Sequence, residues 1–339
     1  MLAALGYLIL VAGIIALGVH IYRHRTLHNP TKPKKQIPFD GTIYQLGDDV
    51  VVAKRRMMNT PGKTVICMPG FMETMSYFFD VYKDEEDVEL ILVNNCGYHS
   101  PINTRMSETP SWFNPSNPFQ AGTIEHDAFI IGQVVDNLVT TNQIVLHGHS
   151  RGGAVMLESA KHISQQNRQL AAILEAPVLP QGKARGHEMP KFMRMLMKYY
   201  LPLVFHYYRD NALSYLRFGG YRHPATPVKE KIISEYFSNP KHYRVAVTNI
   251  ESIDRWTESN NQSMYQYLDD ISVLIPAKDI VLDRNYMIKS AAMCDHVKRI
   301  DVEKADHFIS LERPDFIQRY VHSLFTDSTK PQTAKAVVN

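Results

Sequence analysis

The chain has 339 residues, 45% of them apolar and 21% charged, which is enough for a packed core and too apolar for a disordered polypeptide. Its 37 basic and 34 acidic side chains leave a formal charge of +3, so no general attraction to nucleic acid is expected. Three cysteines, Cys67, Cys96 and Cys294, are odd in number and far apart, which excludes a disulfide framework and a CxxC metal cage.

Residues 2–22 carry no Asp, Glu, Lys or Arg. Twenty-one residues at about 1.5 Å each reach roughly 30 Å, one hydrocarbon core. A secretory leader would show a basic segment before a shorter apolar one; this chain begins in the apolar run, so a retained single-pass anchor is expected over residues 1–22. Arg23, Arg25, Lys32, Lys34 and Lys35 follow before the first acid, Asp40, which by the positive-inside rule predicts that the bulk of the chain faces the cytoplasm. Residues 23–40 read as a basic, Pro-rich tether, extended over 26–38 and close to anionic headgroups or simply solvated.

Beyond the tether, apolar β-rich runs at 50–53, 64–68, 88–93, 143–147, 170–176, 271–275 and 297–302 lack strict alternation, as strands covered on both faces do. Helical periodicity at 124–138 and 154–163 falls between them, which predicts a doubly wound, mostly parallel α/β sheet. Residues 180–270 show helix patterns without a convincing strand and are expected to form a helical cap. The core is then divided into 41–179 and 271–326, with a flexible tail at 327–339.

Residues 143–147 run as a strand into Gly148-His149-Ser150-Arg151-Gly152-Gly153 and then into a helix, which is the G-x-S-x-G elbow in the setting it requires. Gly148 and Gly152 leave room for a turn sharp enough to expose the Ser150 hydroxyl. A serine needs a base, and the base needs an acid to hold its tautomer. Asp279 follows the strand at 271–275, and His307 follows the strand at 297–302, both on loops that should open at the same sheet edge. Glu175 is a rival acid, Asp283 and Asp306 weaker ones, and His147, His149 and His99 could suggest a metal but lack a recognisable ligand spacing. No metal or organic cofactor is expected. For the oxyanion, the backbone N–H groups of Arg151 and of Phe71, in the turn 69–72, are the candidate donors.

Together, Pro69-Gly70-Phe71, Gly148 to Gly152, Ala277-Lys278-Asp279 and Asp306-His307-Phe308 with Leu311 to Pro314 make residues 42–326 resemble the α/β-hydrolase superfamily. Asn94-Asn95-Cys96-Gly97-Tyr98-His99-Ser100 departs from the family's usual acidic residue and paired glycines. Some members use an aspartate nucleophile; serine at 150 argues against that chemistry.

In the cap, Lys191, Arg194 and Lys198 fall on one helical face opposite Phe192, Met195, Leu196, Tyr199 and Leu203, and Lys183, Arg185 and Arg209 add to a basic character against the single acid Glu188. Two readings follow: an acyl lipid entering from the membrane, or a helix packing its apolar side on the core. Met193, Met195 and Met197 are expected to line the site. The function expected is a membrane-anchored serine hydrolase acting on carboxylic esters or thioesters with a hydrophobic acyl chain. Acyl transfer, peptide hydrolysis and a noncatalytic binding protein are the alternatives.

Overall fold

The computed structural model describes residues 2–28, 36–47, 50–114, 116–164, 167–182, 190–209, 227–237 and 240–326. Its centre is a sheet of β2 (Gly41–Leu46), β3 (Val50–Arg55), β4 (Lys63–Met68), β5 (Val88–Val93), β7 (Met106–Glu108), β8 (Gln143–His149), β9 (Gln169–Glu175), β10 (Asp270–Pro276) and β11 (Val297–Val302). Spatial order is β11-β10-β9-β8-β4-β5-β3-β2-β7, parallel from β5 to β11 with β3 antiparallel to both its neighbours. The seven expected strands are present; the inner parallel ones, β4, β5, β8, β9 and β10, are largely buried on both faces, which is why they read as predominantly apolar runs, whereas β11 at the sheet edge is mostly half-exposed. β2, between β3 and β7, and the edge strand β7 carry no such run: β2 mixes Thr and Gln with apolar residues at half-buried positions, and the three residues of β7 are all exposed.

Parallel strands need crossovers, and helices supply them on both faces. On one face lie α2 (Ile124–Leu138), α3 (Arg151–Ser159) and α7 (Arg284–Ala291), whose apolar sides join a core containing Ile131, Val155, Met156 and Met287. Thr123 caps α2 by accepting the His126 N–H at 3.2 Å, a contribution of about 1 kcal/mol. On the other face, α8 (Pro314–Thr326) and the short helix Met75–Phe78 bury Ile317, Val321, Tyr77 and Phe78. Helix α3 begins at Arg151 rather than at 154, because Gly152 and Gly153 serve as its first turn and bring its backbone against β4 and Pro177.

Between β9 and β10, which pair directly, the described residues hold α4 (Lys191–Tyr208), α5 (Pro227–Phe237) and α6 (Pro240–Ser259). These helices share a third apolar cluster of Phe205, Tyr236, Phe237, Tyr243 and Ala246 with Met72 and Tyr98 of the sheet domain. Lys183, Arg185, Glu188, the tail 327–339 and the side chains of Lys191, Arg194, Met197 and Lys198 lie outside the described residues.

The N-terminal helix α1 (Leu2–His28) is long and apolar enough to cross a membrane. It runs six residues past the uncharged stretch, so the first part of the expected tether is helical: Thr26 is buried and Leu27 packs on the third cluster. At the tether's other end, β1 (Ile37–Pro38) pairs with β6 (Ile102–Asn103), another short edge element that apolar patterning does not reveal.

Candidate active site

The parallel strands end at one rim, where Met68 pairs with Gly148 and His149 with Glu175. The loops leaving that rim carry the residues selected from the sequence. Ser150 sits between β8 and α3 with φ 50° and ψ −118°, a left-handed conformation that costs a non-glycine residue about 1–3 kcal/mol. It is held there from three sides. Its N–H donates to the Glu175 carbonyl at 2.9 Å, and its own carbonyl accepts from Val178 at 2.9 Å and Gly153 at 3.0 Å. A Cβ on Gly152 would collide with the Met68 carbonyl oxygen, and one on Gly148 with the Gly152 carbonyl, so both elbow glycines are sterically required.

Ser150 Oγ lies 3.0 Å from His307 Nε2, and His307 Nδ1 lies 2.8 Å from Asp279 Oδ2. The second carboxylate oxygen, Oδ1, accepts the N–H groups of Val281 and Leu282, each at 2.8 Å. All three side chains are buried. Burial pushes the Asp279 carboxyl up, but the charge and hydrogen bond of His307, with the two amides, outweigh it and hold the group below its ordinary value. The structure thus brings residues from three separate loops into one hydrogen-bonded line, hydroxyl to imidazole to carboxylate.

The turn 69–72 closes over the serine: a Cβ on Gly70 would stand 2.9 Å from Ser150 Cβ and 3.0 Å from His149 Nδ1. Among its amides, Gly70 N–H donates to Glu73 Oε2 at 2.8 Å and Met72 N–H to Tyr98 Oη at 3.3 Å. The amide of Phe71 bonds to no acceptor among the described residues. Arg151, as first residue of α3, has an amide with no carbonyl one turn back.

Several residues that the sequence reading did not value hold this arrangement. His149, in the elbow itself, donates from Nδ1 to Glu73 Oε2 at 2.7 Å and from Nε2 to the His307 carbonyl at 2.8 Å. Two acceptors require both ring nitrogens to carry protons. Burial opposes that charge, but Glu73 and then Glu175 overcome it and raise His149 to about 9. The Arg151 side chain, considered only for its amide, is buried and donates to Asp127 Oδ2 at 2.8 Å and Asn95 Oδ1 at 2.7 Å. Asn95 in turn donates to the carbonyls of Gly70 at 2.9 Å and Glu73 at 3.2 Å. The segment departing from the family pattern therefore props the turn beside the nucleophile. An arginine and a histidine flanking the nucleophile inside the elbow were the available signals, since such residues at a tight strand-to-helix turn need partners.

The rival acids have other partners. Glu175 meets His147 Nε2 at 3.2 Å and accepts from Tyr77 Oη at 2.6 Å and Ser310 N–H at 2.6 Å. Burial pushes its carboxyl up, but His147, His149 and Tyr77 overcome this and hold it at about 2. Asp283 caps α7 through the Asn285 N–H at 2.9 Å. Asp306 binds the buried Lys229 of α5, which also reaches Glu312 and lies 5.2 Å from the Phe308 ring centre. His147, His149 and His99 do not converge: His147 faces Tyr82 and Glu175, and His99 stacks on His242.

No protein-family model and no curated protein matches this chain. Its fold is similar to that of an esterase from Exiguobacterium antarcticum (TM-score 0.59, 17% identity, 84% of this chain and 100% of that one). A carboxylesterase from Bacillus subtilis (TM-score 0.57, 12% identity) covers 93% of this chain and 98% of its own. A bromoperoxidase from Bacillus anthracis (TM-score 0.61, 11% identity) covers 85% and 100%.

Proposed function

We propose that this chain, an α/β-hydrolase by fold, is a membrane-anchored serine hydrolase that cleaves carboxylic esters or thioesters with hydrophobic acyl chains. The observation that carries the reading is the hydroxyl–imidazole–carboxylate line from Ser150 through His307 to Asp279, with contacts of 3.0 and 2.8 Å. Two of the similar structures are esterases, which agrees with it.

In this mechanism the Ser150 hydroxyl gives its proton to His307 Nε2 as Oγ attacks the carbonyl carbon. Asp279 holds the other imidazole proton on Nδ1 and stabilises the imidazolium. The developing oxyanion is received by the amides of Phe71 and Arg151. Collapse expels the alcohol or thiol, which takes the proton from Nε2 and leaves acyl-Ser150. Water, deprotonated by the same imidazole, attacks the acyl carbon; Oγ leaves with the returned proton, and the free acid departs. No step needs a metal or an organic cofactor.

Residues 180–270 form the cap of this reading, clamped to the core through Lys229 and through Tyr98, whose Oη donates to Asn249 of α6 at 3.1 Å. The apolar α1 is the anchor, with its basic C-terminal flank and the catalytic domain on the cytoplasmic side. A fluorophosphonate should label the parent and not Ser150→Ala, and the parent alone should release acid from an ester panel. Labelling of both proteins, or of neither, defeats the proposal. External protease that digested the domain in intact cells would overturn the orientation.

A further inference from the structure

Two expectations stand for α4, an apolar side packed on the core or a path for an acyl lipid entering from the membrane, with Met193, Met195 and Met197 lining the site in either case. Of that apolar side, Phe192 and Met195 are exposed in the structure, while Leu196, Tyr199 and Leu203 are half-buried. Phe192 is 63% exposed, Met193 51%, Met195 61% and Tyr207 78%, and Tyr200 is exposed as well. At one residue per 100°, Phe192, Met193, Tyr200 and Tyr207 fall within about a third of the circumference, a stripe running the length of the helix. The face that does pack carries Phe205, Leu201 and Tyr208, which meet Tyr236, Tyr98 and Met72. A cluster of exposed apolar side chains this size on a helix marks a surface that meets something other than water.

What it meets is indicated by α1. The two helices cross where His20 Nδ1 lies 3.0 Å from Tyr199 Oη and Arg23 Nε donates to the Tyr199 carbonyl at 2.9 Å. The Arg23 guanidinium stands 4.7 Å from the Tyr199 ring centre, and the Tyr22 ring packs edge-on against His206. These are the residues at which the uncharged run 2–22 ends. Helix α4 therefore passes α1 at the depth where a spanning helix leaves hydrocarbon for headgroups. Its outward tyrosines fit that depth, where amphipathic rings are favoured.

We propose that the exposed apolar side of α4 lies in the headgroup–acyl boundary of the bilayer that α1 crosses, so that the lipid surface is a binding partner of the helical insertion. The proposal rests on the anchor reading above and extends it from one helix to two. It has a consequence for substrate. The inner side of α4 shares a cluster with Met72, and the Phe71 ring packs on Tyr236 at 6.2 Å, so the helix joins the bilayer face to the turn beside Ser150. An ester dissolved in the membrane reaches the insertion without crossing bulk water.

Tryptophan emission in vesicles tests this with the full chain. Phe192→Trp, Tyr207→Trp, Leu10→Trp in α1 and Met58→Trp, a distant site 88% exposed, would each be reconstituted into phosphatidylcholine with or without brominated acyl chains, and the parent's signal from Trp112 and Trp256 subtracted. Burial to roughly 5–10 Å should cost positions 192 and 207 about half their emission in brominated vesicles, with position 10 quenched at least as strongly and position 58 little affected. Quenching at 10 without quenching at 192 and 207 overturns the proposal and leaves the anchor intact, and this is the outcome if α4 instead meets another protein or a second copy. No quenching at 10 removes the anchor reading and the proposal together. Native-like circular dichroism of each variant excludes misfolding as the cause.

Discussion

Replacing Asp279 by asparagine keeps shape and volume while changing which atoms can accept a hydrogen bond, and the surroundings of the carboxylate decide the outcome. Asp279 Oδ1 accepts two backbone amides, each at 2.8 Å, and Oδ2 faces His307 Nδ1 at 2.8 Å. Asparagine has one oxygen for these two sides. Turned with its amide nitrogen toward Val281 and Leu282, it would deprive a buried and a partly buried N–H group of their acceptor at about 1–3 kcal/mol each. Turned the other way it keeps both bonds and presents N–H to His307 Nδ1. The second orientation wins by roughly 2–6 kcal/mol, a factor of about 30 or more. The imidazole must then accept at Nδ1 and carry its proton on Nε2, which faces Ser150 at 3.0 Å and can no longer take the hydroxyl proton. The expected loss is on the order of 10³–10⁴ in kcat with KM nearly unchanged, measured on a short-chain chromogenic ester, and fluorophosphonate labelling should slow in parallel. A folded Asp279→Asn protein within about ten-fold of the parent would refute the tautomer argument and the acid's assignment with it.

Two further outcomes follow from the site. Gly152→Ala places a methyl group against the Met68 carbonyl, so the elbow must open; fluorophosphonate labelling should be lost and the midpoint of urea unfolding should fall by about 1–3 kcal/mol in the derived free energy, and a variant that labels at the parent's rate would contradict the packing. His149 is raised from 6.5 to about 9, so the stability supplied by its charged pairing with Glu73 is complete below about 6.5 and disappears as pH climbs through about 9. Denaturation midpoints of the parent should therefore decline between those values more steeply than those of Glu73→Gln; equal slopes would show that the pair contributes nothing in this range.

Much of the fold was legible because burial on both faces of a parallel sheet leaves a local mark: β4, β5, β8, β9 and β10 are predominantly apolar, and the glycines of the elbow sit at fixed offsets from a strand and a helix. Ser150 and Asp279 could be selected from chain order because each follows such a strand, and His307 because it follows the last strand, β11, and precedes the final helix. β2 and the edge strand β7 leave no such mark, since β2 is only partly buried and mixes polar with apolar residues, and the short β7 is exposed throughout.

The sequence by itself determined the alternation of strands and helices, the strained turn at Ser150, and an N-terminal stretch with too few polar groups to be at ease in water. These depend on residues that are neighbours along the chain. Only the tertiary structure decided that Asp279 rather than Glu175 faces His307, that His149 is charged against Glu73, that Arg151 props the turn at Gly70 through Asn95, and that α4 leaves Phe192 and Met195 exposed beside α1. The reason is common to all four. A carboxylate's partner, a histidine's protonation and a helix's inner face are set by groups tens to hundreds of residues away, and no local pattern records which of several chemically equal candidates the packing will bring within 3 Å.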